Sequence, residues 1–178
     1  MAKKKQKKAQ SSSPMPLFAA GAAVVVVLVV AFLITSGSKP GQFVPEHQGD
    51  HDHLGTTTNT PPGGDPPTSG PHTDLLGPWG VNQDYMPPER WLHNLEDGGV
   101  AILYSCLDCP ELVSQLAALV ERHRNRDRHV LMAYWPGMTP VIALRAWTRK
   151  QDLASFDQGA IERFIIAFEG IDHHQPQR

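Results

Sequence analysis

The stretch PLFAAGAAVVVVLVVAFLI, residues 16–34, carries no charge and is almost wholly apolar from Leu17 onward. About 20 such residues are enough for one helix to cross a bilayer. Lys3, Lys4, Lys5, Lys7 and Lys8 stand just before it, and positive charge is retained on the cytoplasmic side during insertion. The sequence therefore predicts a basic cytoplasmic tail over residues 1–15 and a transmembrane signal anchor over residues 16–35 in contact with the lipid bilayer. The rest of the chain is expected outside the plasma (inner) membrane, on the periplasmic side. A cleaved signal peptide has a shorter apolar region, about 7 to 15 residues, and a small-x-small cleavage site. ITSGSKPGQ offers no clean site of that kind.

That reading divides the remainder of the 178 residues. Residues 36–65 are rich in Gly, Pro, Thr and His with few large apolar side chains, so they read as a disordered tether. Residues 66–172 hold enough apolar sequence for one modest domain, and residues 173–178 read as a flexible end. All 18 acidic residues follow the apolar run while five of the 16 basic ones precede it, which leaves the exported part at −7 with histidine neutral. A nucleic-acid partner demands a basic face and is excluded on that ground. Cations suit such a domain better.

Within the domain, residues 66–88 are dense in turn formers and read as ordered loop. VAILYS from Val100 is a short β-rich apolar run, expected as a buried strand. CPELVSQLAALVERHRNR places Leu112, Leu116, Leu119 and Val120 at helical spacing, with Glu111 in the first turn and arginines near the end, the polarity a helix favours. HVLMAYW and VIALRAWT read as two further strands, and QGAIERFIIAFEG as an amphipathic helix with Ile161, Phe164, Ile165 and Phe168 on one face. The order strand, helix, strand, strand, helix predicts an α+β fold, a small sheet with helices packed on one side. The first two strands are far enough apart for a parallel crossover.

Four places carry chemistry. His72 lies in a loop stiffened by Pro66, Pro67 and Pro71 and turned by Gly70. In WLHNLEDGG a helix would put His93 and Asp97, at i and i+4, on one face with Glu96 beside them, offering nitrogen and oxygen ligands to a divalent ion, whereas an extended segment would put His93, Leu95 and Asp97 on one face. Cys106 and Cys109 follow the first strand and open the helix, the position at which thioredoxin-like proteins carry a redox pair; the Trp and Gly-Pro of that motif are absent. A plain disulfide, metal thiolates and disulfide exchange all remain open for the two cysteines. HQGDHDH interleaves His47, His51 and His53 with Asp50 and Asp52, a composition that holds metal ions loosely. Met138 is a soft ligand type inside a loop. No hydrolase, phosphate-loop or dinucleotide motif is present, so the reading is non-enzymatic.

PPTSGPH, WLHNLEDGGVAILY and VIALRAW, in that order and spacing, resemble the bacterial membrane-anchored family catalogued as domain of unknown function 3105. The resemblance covers about residues 60–170 and implies a single span, an exported domain and no established activity. The family pattern usually reads His-x-Leu-Glu-His-Gly, and here Asp97 stands in place of the second histidine. A carboxylate ligates zinc but is a poorer ligand for Cu(I).

Together these observations predict a membrane-tethered extracytoplasmic protein that binds copper or zinc. The expected ligands are His72, His93, Glu96 and Asp97, with Cys106 and Cys109 as further candidates. An envelope or metal-handling protein is the partner class implied. The alternatives are a thiol-disulfide protein using the cysteine pair and a non-catalytic envelope-interaction domain in which Trp79, Trp91, Trp135 and Trp147 are core and surface aromatics.

Overall fold

The computed structural model describes residues 39–56 and 60–174. The basic tail, the apolar run of residues 16–35 and residues 175–178 lie outside the described residues. Among those described, no helix is long and apolar enough to cross a membrane.

In chain order the elements are β1 (Gln42–Phe43), β2 (His53–Leu54), β3 (His72–Thr73), β4 (Gly80–Tyr85), α1 (Pro88–Glu96) and β5 (Val100–Tyr104). They continue with α2 (Pro110–Arg124), β6 (Val130–Tyr134), β7 (Ile142–Ala146), β8 (Arg149–Leu153) and α3 (Gln158–Phe168). Six strands form one mixed sheet in the order β1-β8-β7-β5-β6-β4, and β2 pairs with β3 separately. VAILY is the central strand because every residue in it is buried, which only a strand covered on both faces can satisfy. The pleat sends Val100, Ile102 and Tyr104 to one face and Ala101 and Leu103 to the other. β5 and β6 run parallel, in register from Val100↔Val130 to Tyr104↔Tyr134, with α2 as the crossover the sequence predicts.

The first face is closed by Leu116, Leu119 and Val120 of α2 and by Ile161, Phe164, Ile165 and Phe168 of α3. These are the residues whose spacing marked those helices, and Asp157 caps α3 by accepting a 2.9 Å hydrogen bond from the Ala160 amide. The second face carries α1, whose Trp91, Leu92 and Leu95 pack with Trp135, Met138 and Trp147. The helices therefore cover both sides of the sheet. The expectation of helices on one side fails because a strand apolar on both faces needs cover on both, and α1 supplies the second.

Two strands were hidden in polar sequence. β4 (GVNQDY) lies in the stretch read as loop, and β8 (RKQDL) is half-exposed with no apolar alternation. Backbone pairing makes them: β4 follows β6 in parallel, and β8 is the return arm of a hairpin that closes at Ala146↔Arg149. The two turn residues are Trp147 and Thr148, the latter at φ 59°. Val44 donates to the Thr148 carbonyl at 2.9 Å and Thr148 to that of Thr68 at 3.2 Å, which holds this left-handed residue in place and fixes Trp147 beneath the neighbouring loops.

The stretch read as tether also differs from expectation. β1 pairs with β8 and β2 with β3. Asp50 is buried and accepts from the His47 amide at 2.8 Å and the Ser69 hydroxyl at 2.6 Å. Asp65 pairs with Lys150 and with Arg145, a fully buried guanidinium that also bonds Asp152 at 2.9 Å and the Pro66 carbonyl at 2.8 Å. Polar and backbone contacts, which leave no hydrophobic signature, do the ordering here.

Candidate metal centre

α1 begins with Pro88 at its first position, where a missing amide costs nothing. It ends in a Schellman turn: Gly99 donates to the Asn94 carbonyl at 2.7 Å and Gly98 to that of Leu95 at 3.0 Å. Gly98 takes φ +81°, and a Cβ there would meet the Ile171 backbone at 2.7 Å. The chain after α3 crosses at that point. Gly170 donates to the Gly98 carbonyl and His173 to the Glu96 carbonyl, both at 2.8 Å, so the last described residues lie over the C-terminal turn of α1.

Four histidines meet there. β2 sets His53 opposite His72 in register, and their ring centroids are 4.9 Å apart. His93 on α1 lies 5.3 Å from His53 and 5.2 Å from His72, and His174 lies 5.8 Å from His93. His53, His72 and His93 each offer a ligand atom within 4.8 Å of the others, as do His93, Asp97 and His174. Nitrogens sharing a tetrahedral ion at about 2.0–2.1 Å lie roughly 3.3 Å apart, so small rotations of the rings close the cluster on one ion.

The hydrogen bonds decide what these rings can do. His72 Nδ1 faces the Gly70 carbonyl at 2.8 Å and His93 Nδ1 the Thr73 carbonyl at 2.7 Å. A carbonyl only accepts, so both Nδ1 atoms carry a proton, which leaves Nε2 of each ring as the atom free to present a lone pair to a ligand. His53 Nδ1 meets Asp74, and His174 Nδ1 meets Asp172 at 2.8 Å. Glu96, 1% exposed, receives the Nε2 side: its Oε2 is 3.0 Å from His72 Nε2, 3.4 Å from His174 Nε2 and 3.8 Å from His53 Nε2. Asp97 lies 3.7 Å from His93 Nε2. Glu96 Oε1 pairs with His51 Nδ1, whose other nitrogen is 3.5 Å from Glu46.

Burial holds the His72 imidazole below its usual range, against the pull of Gly70 and Glu96. Burial pushes the Glu96 carboxyl up, but the His51 hydrogen bond and the charges of His72 and His174 outweigh it and hold it low. His51 moves the other way, because Glu96 and Glu46 overcome its burial and raise it. With the Nδ1 proton of His72 directed at the Gly70 carbonyl, its Nε2 lone pair and the Glu96 carboxylate oxygen 3.0 Å away would be two facing acceptors. A cation, or an extra proton on a buried ring, is what such a contact requires.

His72, His93, Glu96 and Asp97 are thus brought together. Cys106 and Cys109 are not: they follow the C-terminal end of β5, whereas α1 precedes its N-terminal end, about 15 Å of strand away. They form a disulfide with Cα atoms 5.9 Å apart, so the thiolates needed for ligation are absent. So short a loop restrains the unfolded chain by only about 2 kcal/mol. Met138 packs in the apolar cluster of the second face. Sequence reasoning gave His53 only a loose role in a histidine-rich tract and missed His174 in a stretch read as frayed. For His174 the neighbouring Asp172, which orients its ring, was the available signal; His53 is oriented by Asp74, 21 residues along the chain, and no local pattern announces that pairing.

A family model described as "Protein of unknown function (DUF3105)" matches residues 47–178. No curated protein and no solved structure matches the chain. The chain belongs to that family, and its matched segment includes every histidine of the cluster.

Proposed function

For this member of the DUF3105 family we propose a membrane-tethered, extracytoplasmic role in binding a divalent transition metal, zinc or Cu(II). The ion is held by Nε2 of His53, His72 and His93, with His174, Glu96 and Asp97 completing the shell. The observation that carries this reading is the set of Nδ1 hydrogen bonds to acceptors that cannot donate. They fix the tautomer, orient each ring and leave the Nε2 atoms as ligands, which is the second-shell arrangement of histidine metal sites. Imidazole and carboxylate donors suit zinc and Cu(II), and the lack of sulfur in the cluster disfavours Cu(I). His72, His93 and Glu96 are buried while His53 and His174 are exposed, so an ion held there sits at the rim of the fold, in reach of solvent, and the reading is storage, transfer or structural use of the ion. The basic tail and uncharged apolar run support the membrane tether.

Elemental mass spectrometry on the purified, extensively dialysed chain tests this, beside His72→Ala and His93→Ala variants whose folding is verified by circular dichroism. The expected result is near one zinc or copper per chain, lost in both variants. No stoichiometric metal in the unaltered protein, even after incubation with Zn(II) and Cu(II), overturns the proposal.

A further inference from the structure

A groove of about 830 Å³ lies away from the histidines and is lined by Cys106, Cys109, Tyr104 and Tyr134 together with Ala117 and Ala118 of α2. Both cysteines are half-exposed in it. Leu107, between them, is 84% exposed, which places an apolar side chain in reach of anything that approaches the sulfurs. Cys109 is the N-cap residue of α2, and no side chain caps that helix end. Cys109 thus stands at the positive end of the helix dipole, which favours a thiolate at that position. The bond spans only two intervening residues, which leaves it the weakest kind of staple for the fold.

We infer that Cys106–Cys109 is an exchangeable disulfide that oxidises a pair of thiols in an extended polypeptide seated in this groove. The groove's apolar floor and Leu107 contact the segment flanking the reacting cysteine. A thiolate of the partner attacks the Cys106 sulfur, the Cys106–Cys109 bond breaks, and Cys109 leaves as the thiolate that the helix end stabilises. The partner's second thiolate then attacks its own sulfur in the mixed disulfide and expels Cys106. The partner loses two electrons and two protons and gains a disulfide; this chain gains both as a dithiol.

The probe is a synthetic ten-residue apolar peptide with two cysteines, compared with reduced glutathione on the full-length chain at neutral pH. Reduction of the disulfide is followed by alkylation and mass shift. Ala118 is exposed on α2, so Ala118→Trp fills the groove without touching the core, and Leu107→Asp removes the apolar contact. The expected result is reduction by the peptide within minutes, slowed at least tenfold by either substitution, while the rate with glutathione changes less than twofold. A disulfide that resists the peptide until the chain is unfolded in urea overturns the inference, as does equal slowing with both reductants.

Discussion

Gly98 joins the fold to the site, and replacing it with alanine tests that link quantitatively. Its φ of +81° puts an added Cβ in the left-handed region, a cost of about 1–2 kcal/mol. The same Cβ would lie 2.7 Å from the Ile171 backbone, so the crossing segment must lift. That breaks the Gly170–Gly98 and His173–Glu96 hydrogen bonds, both 2.8 Å, at about 1 kcal/mol each. We expect Gly98→Ala to cost about 3–4 kcal/mol in urea denaturation with metal chelated. Removing residues 170–178 should cost about 2 kcal/mol, and the two changes combined no more than Gly98→Ala alone, because the alanine has already undocked the segment. Both variants withdraw His174, so Zn(II) affinity by chelator competition should fall roughly 10- to 100-fold in each. Additive stability losses, or an affinity unchanged within twofold, would refute the reasoning.

Burial lowers the His72 pKa, so the unfolded chain takes up that proton first and this group withdraws stability as pH falls below about 6.5; His72→Gln should remove that share of the slope in urea series at stepped pH. His174 is raised, chiefly by its hydrogen bond to Asp172, so its contribution is present at low pH and lost as pH rises through the imidazole range; His174→Gln should change the slope with the opposite sign. Arg145→Leu removes a buried guanidinium from Asp65 and Asp152, which are half-exposed, and should cost about 2 kcal/mol in thermal or urea unfolding, with faster proteolysis in residues 60–70. Glu96→Gln keeps the shape but removes the carboxylate on which three Nε2 atoms converge, and should weaken Zn(II) binding at least tenfold by the same competition assay.

Legibility followed the physical origin of each element. α2, α3, β5 and β6 were readable because apolar side chains at helical or strand spacing make them, and α1 was readable as one of two options for the residues carrying His93, Glu96 and Asp97. β4 and β8 are polar strands held by backbone pairing to neighbours already in place, and no side-chain pattern announces that. The same holds for residues 39–56, ordered by Asp50, by the Trp147–Glu46 hydrogen bond and by the β2–β3 pair. Half the site was therefore visible. His72 and His93 stood out through loop rigidity and helical spacing, while His53 and His174 arrive on segments that pair by main chain. The cysteines misled because nearness in sequence to α1 suggested nearness in space, and β5 carries them to the opposite end of the sheet.

X-ray absorption at the zinc or copper edge of the metal-loaded, full-length protein tests the central claim most directly. The account expects a nitrogen/oxygen shell near 2.0–2.1 Å, outer-shell scattering from at least three imidazoles and no sulfur near 2.3 Å, with the imidazole signal reduced in His53→Ala and His72→Ala. A sulfur shell, or scattering from fewer than two imidazoles in the unaltered protein, would contradict it.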